Sequence, residues 1–547
     1  MSRVRFIIPL PQGAAVSGIT TWAARLANAL AENHDDIQPE LLVHRPRPDQ
    51  SPISLRLHHG VVRHDLEAPP LWEFDESTNR VAATLAAWRA IVREHSDPVV
   101  MAPGVHHDAW TVALRLRQES GDAPPTRLLG WLHRDDPYDF AMLEHAAPLV
   151  DRFIALTMGA ATRLAARLEH RATDLITLPY AVPVPPTVSA RPPLAHRTIE
   201  LLFVGRFDED QKRLGDLFAI ARSLRARAIP FRLRLVGAGP ALEFVDEEIR
   251  LFNESVDTGE FTIERLAARN AEALSGLYAS ADALLLTSRV EGLPVTLLEA
   301  MAHGVTPLVT AVGGATEIIE DGVNGRLLEV GDIEGFTSAI EELRVIEPTA
   351  LERRRERARH LVRSNHDLAR HAARVAEILR AIVTDRTTRR EWPTGRPFTL
   401  PPSGVTAEQF DGAVRRLRRL LAALAGAPVA IWGAGRHTVA LAATLESYSG
   451  SVIILDDDPR RCGERLLDRW TILPPTGATL ERHGVREVII SSAFYEAAMY
   501  ARRSIFGSGT RTHTLYREEF NDAELDTPAL TPPAESANGL APRAVSG

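Results

Sequence analysis

The 547-residue sequence predicts an α/β protein: two doubly wound βα domains facing a cleft, then a third, smaller βα module. Three observations predict this. Short apolar runs alternate with helical stretches from the first residues onward. The alternation pauses near residue 180 at the proline-rich "LPYAVPVPPTVSARPPLAH" and then restarts. A second break, "TDRTTRREWPTGRPFTLPPSG", precedes one more strand–glycine–helix unit.

In the first domain, residues 1–185, "VRFIIPL" reads as a strand and "TTWAARLANALAEN" as a helix. "PVVMAPG", "TRLLGWLH" and "DRFIALT" are short apolar strands, each followed by a helix-like run. Such runs suit a parallel sheet covered on both faces. The second domain, residues 195–383, repeats the pattern with "IELLFVG", "FRLRLVGAG", "ADALLLTS" and "VTPLVTA". It closes on a charged helix from "PTALERRRERARHL", whose arginine run reads as a solvated face. Residues 384–404 form a linker, and 405–520 form the last βα module. Residues 521–547, rich in Pro, Ala and Ser, have little to bury and read as a disordered tail.

Composition narrows the function. Charged residues are 24% and net charge is −8, without the clustered basic excess that nucleic-acid binding needs. The single cysteine, Cys462, permits no disulfide within the chain and reads as a small buried apolar group. No run approaches the roughly 18 apolar residues of a membrane span. The apolar part of "MSRVRFIIPLPQGAA" is too short for a signal sequence. A cytoplasmic protein is expected, with peripheral membrane contact compatible.

The chemistry centres on "RVEGLPVTLLEAMAHG", where Glu291 and Glu299 have seven residues between them. The stretch follows a strand and reads as a helix with Pro294 in or near its first turn and Gly304 as its stop. Its N-terminus points into the cleft and offers unpaired amides and partial positive charge, a seat for phosphate. Glu299 lies about five residues in, roughly 7 Å along the axis. A ligand with phosphate at the helix start meets one carboxylate on each side, and carboxylates accept hydrogen bonds from sugar hydroxyls. A nucleotide-sugar has hydroxyls on both sides of its diphosphate. Arg206 and Lys212, after the strand "LLFVG", supply cations for a diphosphate without a metal. Gly237 and Gly239, and Gly313 and Gly314, allow close backbone approach.

In their order along residues 199–328, "FVGRFDEDQKRLGDL", "LRLVGAGP", "LYASADALLLTSRVEGLPVTLLEAMAHGVTPLV" and "VGGATEIIEDGVNGRLL" resemble glycosyltransferase family 4, with its E-x7-E element. The resemblance implies the GT-B fold and retaining sugar transfer. It implies that Arg206 and Lys212 bind the donor diphosphate, Glu299 the ribose and Glu291 the transferred sugar. Backbone amides around Leu293, Pro294 and Val295 support sugar and phosphate. "PQGAAVSGITTWAARLANAL" resembles the family's glycine-rich first loop, reduced to Gly18 after Ser17. "LLGWLHRDDP" puts His133 where the family often has a histidine facing the reacting sugar. His106 and His107 are rivals, and these histidines form no convincing metal set. Tyr180-Ala181 replaces a usual Asn-Gly, so the polar contact from that asparagine is absent. The substrate implied is a UDP- or GDP-sugar, with no cofactor or metal required. The acceptor is a glycan, a lipid-linked sugar or a small molecule, and the setting is surface-glycan assembly. "ESVDTGEFTIERLAARNAEA" departs from the strand and loop that select the base. A non-catalytic sugar-nucleotide-binding or assembly subunit of the same fold is the alternative.

The last module opens on "APVAIWGAGRHTVALAATL" and continues to "SVIILDDDP". Gly433, Gly435 and Asp456 form the front of a dinucleotide fingerprint, with Thr438 in place of the third glycine. The pattern resembles modules appended to sugar-modifying and methyl-transferring enzymes, which implies either nucleotide binding or docking. An oxidoreductase lacks its catalytic set here.

Overall fold

A computed structural model describes residues 3–516, except 12, 15–16, 47–52, 68–77, 105–106, 120–125, 136, 189–191, 195–196, 257–258, 267–270, 386–389, 395–406, 459–460, 468 and 493–495. The tail 521–547, most of the linker 384–404, and His106 lie outside the described residues. The chain divides into two compact units, 1–400 and 401–547.

The first unit holds two parallel sheets. One comprises β1 (Val4–Leu10), β2 (Ile37–Val43), β3 (Val62–Asp65), β4 (Val99–Met101), β5 (Arg127–Leu132), β6 (Arg152–Ala155) and β7 (Leu175–Thr177). Their order is β3-β2-β1-β4-β5-β6-β7. All seven residues of β1 are buried, as a strand covered on both faces requires. β2 escaped the sequence reading because Pro39 and Glu40 interrupt its apolar run. A buried ion pair secures it: Arg5 Nε and Nη2 donate to the two Glu40 oxygens at 2.5 and 2.9 Å.

The other sheet comprises β8 (Ile199–Val204), β9 (Phe231–Val236), β10 (Phe261–Leu266), β11 (Ala283–Leu286), β12 (Thr306–Thr310) and β13 (Arg326–Leu328). Its order is β10-β9-β8-β11-β12-β13, with the same reversal as the first sheet. β10 corrects the reading of "ESVDTGEFTIERLAARNAEA": a strand is present and pairs with β9 from Phe261 to Leu266. Its alternation of polar and apolar residues suits an edge, which is where it lies.

The helix Pro348–Asn365 also departs from expectation. Its arginine run is not wholly solvated, since Arg354 and Arg355 are buried. Arg354 binds Glu342 at 2.9 Å, and Arg355 lies 3.5 Å from the fully buried Asp282. The next helix, Leu368–Thr384, buries a stripe of Val375, Ala376, Leu379 and Ile382. It packs against the helix Gly18–Asn33 of the first sheet's layer. At its start, Val182 N–H donates to His366 O at 2.9 Å and Leu368 N–H to Val182 O at 3.2 Å. The return of the chain thus fixes the proline-rich crossover.

The second unit is a sheet of β14 (Val429–Trp432), β15 (Val452–Leu455), β16 (Arg465–Leu466), β17 (Trp470–Leu473), β18 (Glu487–Ile490) and β19 (Arg511–His513). The order is β16-β17-β15-β14-β18-β19, parallel except at the edge strand β16. Leu417, Leu420 and Leu421 of the helix Ala407–Ala423 join its core.

Candidate active site

The strand order of the second sheet reverses between β8 and β11. Loops leaving two such strands diverge to opposite faces and open a crevice at the carboxyl edge. After β8, Asp208 caps the short helix Glu209–Lys212 by accepting from Gln211 N–H at 3.1 Å. Arg213, in the left-handed region at φ 50°, ends it. After β11, the loop joins this turn through Arg289 N–H to Gln211 O at 2.8 Å and Thr287 Oγ1 to Lys212 O at 2.9 Å. The two loops therefore bring Lys212 and Glu291 together. The ammonium binds Glu291 Oε1, with side chains only 12% and 9% exposed. Ser288 donates to the same oxygen at 2.6 Å. Arg206 is not brought to this carboxylate. Its side chain is 59% exposed and lies 3.9 Å from Asp208.

The helix carrying Glu299 runs Val295–Ala302, with Pro294 as its N-cap and no side-chain cap. Its first amides have no intrahelical acceptor by geometry. It stops as expected: Gly304, at φ 67°, donates to Met301 O at 3.0 Å, and Val305 to Ala300 O at 2.9 Å. Leu293 and Pro294 are buried and Val295 half-buried, so backbone is what this turn offers a ligand. Glu299 is buried, with both oxygens engaged: Arg25 Nη2 donates to Oε1, and Tyr278 Oη to Oε2 at 2.7 Å. Burial and the Glu299 charge push the Tyr278 phenol well above its ordinary pKa, so it stays a donor.

The glycines have structural work. A Cβ on Gly237 would meet the Gly205 carbonyl, and one on Gly239 the Phe207 backbone, so both let the β9 loop cross the β8 loop. Gly313, at φ 52°, and Gly314 receive the glutamate loop, and Gly314 N–H donates to Gly292 O at 2.6 Å. Gly18 opens the helix Gly18–Asn33 behind its cap Ser17, and a Cβ there would meet nothing within 4 Å.

His133 follows β5 and meets the glutamate loop from the opposite sheet. A Cβ on Gly292 would lie 2.9 Å from the His133 carbonyl oxygen. The His133 Nδ1 lies 2.6 Å from the Tyr180 hydroxyl. Nearby, Glu317 accepts from Met158 N–H at 2.7 Å and Gly159 N–H at 2.8 Å across the same junction. His107 begins the helix His107–Gln118, and its side chain lies outside the described residues.

Sequence reasoning missed Arg25, Tyr278, Ser288, Tyr180 and Glu317. Arg25 carried a usable signal: seven residues after Gly18 is about two helical turns, on the same face. Tyr180 registered only as a missing Asn-Gly. Ser288 lies only three residues before Glu291, just after β11, whereas Tyr278 and Glu317 meet partners 21 and 159 residues away and had no signal. Among the described residues, no group of three or more His, Cys, Asp or Glu could hold a metal, and no helix is long and apolar enough to cross a membrane.

In the second unit, Gly433 has φ 115° and Gly435 precedes the five-residue helix Arg436–Ala440. Asp456 is committed to its own surroundings: its oxygens accept from Ala434 N–H at 2.8 Å and Asp458 N–H at 2.9 Å, with Arg461 at 3.4 Å. Thr438, at the third glycine position, is buried and donates to Ser491 at 2.7 Å. Cys462 is half-buried; burial and the charges of Asp456 and Asp458 push its thiol up, away from a nucleophile.

The family model for glycosyl transferases group 1 matches residues 198–344. The chain is 28% identical over 190 residues to the putative colanic acid biosynthesis glycosyltransferase WcaL of Salmonella typhimurium, covering 34% of this chain and 45% of that protein. It is 34% identical over 151 residues to the lipopolysaccharide 1,6-galactosyltransferase of Escherichia coli, covering 26% and 39%. The chain thus spans less than half the length of these two relatives. In fold, it resembles sucrose-phosphate synthase from Thermosynechococcus elongatus, with TM-score 0.56, 16% identity and coverage of 70% of this chain and 99% of that one. It also resembles Anabaena HepE in complex with UDP and glucose, with TM-score 0.53, 15% identity and coverage of 70% and 100%. The fold is GT-B, and residues 198–344, which carry Lys212, Glu291 and Glu299, match the family model for glycosyl transferases group 1.

Proposed function

We propose that the protein is a retaining, metal-independent hexosyltransferase. It moves a sugar from a UDP- or GDP-sugar to an acceptor hydroxyl in surface-glycan assembly, at the cytoplasmic side of a membrane. The observation that carries this reading is the Lys212–Glu291 pair beside the uncapped start of the helix Val295–Ala302, at the strand-order reversal. The diphosphate seats on the helix amides near Lys212, and Arg206 swings in from solvent to join it. Glu299 takes the ribose hydroxyls and Glu291 the transferred sugar, with His133 on the facing side. The C1–O bond to the diphosphate breaks, and the acceptor oxygen bonds C1 on the same face. The acceptor proton leaves with the departing phosphate oxygen. Cations and helix amides stabilise charge that grows as that bond breaks, so their effect is larger in the transition state than in the ground state. The commitment of Asp456 to its own loop favours docking over ribose binding for the last module.

The test is binding and slow hydrolysis across UDP-, GDP- and ADP-sugars, with Glu299→Ala and Lys212→Ala alongside. One donor bound and hydrolysed, and lost in both variants, supports the site. Equal behaviour of wild type and variants refutes it.

A further inference from the structure

Tyr180 and His133 sit in one buried aromatic cluster, 5% and 4% exposed. The Trp22 ring meets His133 edge-on, with centroids 4.6 Å apart, and Trp131 lies parallel to it at 5.8 Å. Tyr180 is held at both ends. His366 Nδ1 lies 2.9 Å from its carbonyl oxygen, and its hydroxyl lies 2.6 Å from His133 Nδ1. A buried phenol must place its proton on an acceptor, because an unmade hydrogen bond there carries the full desolvation penalty of the hydroxyl. Among the described residues, the hydrogen-bond partner of this hydroxyl is His133 Nδ1. Burial, with Asp139 adding to it, pushes the phenol far above its ordinary pKa, so it remains a donor. A histidine that accepts at Nδ1 carries its proton on Nε2 when neutral.

We infer that Tyr180 is a positioning residue that fixes His133 as the Nε2–H tautomer. His133 then serves as a hydrogen-bond donor to a substrate hydroxyl and not as a general base. The donor role rests on the glycosyltransferase reading; the tautomer assignment does not. The position replaces a polar Asn-Gly by a residue that acts through the histidine.

The test uses the full chain labelled with 15N at histidine imidazoles, with the His133 signals assigned by their loss in His133→Gln. In wild type, the Nε2-protonated pattern is expected. In Tyr180→Phe, the Nδ1 and Nε2 signals should move toward a tautomer mixture, and kcat for nucleotide-sugar hydrolysis should fall roughly three- to tenfold with KM nearly unchanged. Unmoved His133 signals overturn the inference, and so does a wild-type Nδ1-protonated pattern. Moved signals with unchanged kcat and KM overturn the donor role. If wild type neither binds nor hydrolyses any nucleotide-sugar, the proposed function fails and the donor role with it. The 15N spectra still decide the tautomer assignment. Should Tyr180→Phe not fold, 3-fluorotyrosine at position 180, a stronger donor, should shift the Nδ1 signal, and no shift overturns the assignment.

Discussion

Arg25, on the first helix of the chain, donates to Glu299 Oε1, 274 residues away. Tyr278 holds the other oxygen, so the carboxylate assigned to the ribose is already satisfied within the protein. A ribose diol must compete with Arg25 for it. Arg25→Ala should therefore tighten donor binding, by roughly three- to tenfold, since a hydrogen bond to a charged group is worth about 1.5–3 kcal/mol and part of that is regained from water. Titration calorimetry with the preferred nucleotide-sugar reads this. Weaker binding in Arg25→Ala would instead make Arg25 a donor contact.

Lys212 and Glu291 share one ion pair and should act as a unit. Lys212→Met and Glu291→Gln should each lower transfer by about 10²-fold or more. The double variant should be little worse than the poorer single one, because the second change removes a partner already lost. Steady-state kinetics on the four proteins checks this; additive losses would mean independent roles.

Asp282 is fully buried and receives Arg197 at 2.6 and 2.7 Å, with Arg355 at 3.5 Å. Asp282→Ala leaves the buried Arg355 with only the exposed Glu352, at 3.7 Å, as a carboxylate partner. The expected loss is about 3 kcal/mol or more. Urea unfolding followed by tryptophan fluorescence measures it. A loss under 1 kcal/mol would show that solvent reaches these arginines.

His371, beside Trp131, has its pKa pushed down from 6.5 to about 4 by burial. The unfolded chain takes up this proton as pH falls through 6.5, and the folded chain only near 4. The contribution of neutral His371 is therefore complete above pH 6.5 and lost on the way down to about 4, where the loss reaches roughly 3 kcal/mol. Urea midpoints measured from pH 7 downward should fall in that window, and His371→Phe should flatten the fall. A variant curve parallel to wild type would assign the acid loss to other groups.

Much of this protein was legible as sequence because much of it is local. β1, β8, β11 and β12 are short, mostly apolar runs, and β9 alternates buried apolar residues with Arg232 and Arg234; both patterns, bounded by turn residues, are read locally as strands. The glutamate helix was legible for the same reason, since Pro294 and Gly304 act on their own turns. β2 and β10 were not, because a polar strand is stabilised by the neighbour it joins, here β1 through Arg5–Glu40 and β9 along its whole length.

The sequence by itself determined the βα alternation, the crossover near residue 180 and the spacing of Glu291 and Glu299. Each is set by side chains within a few residues of one another. Only the tertiary structure decided that Arg25 and Tyr278 hold Glu299, that Lys212 rather than Arg206 reaches Glu291, and that Tyr180 holds His133. These pairs are far apart in sequence and carry no periodicity. Their meeting depends on where strand-order reversals and the returning helix Leu368–Thr384 bring the loops, and pairing at such range is fixed by packing and not by local preference.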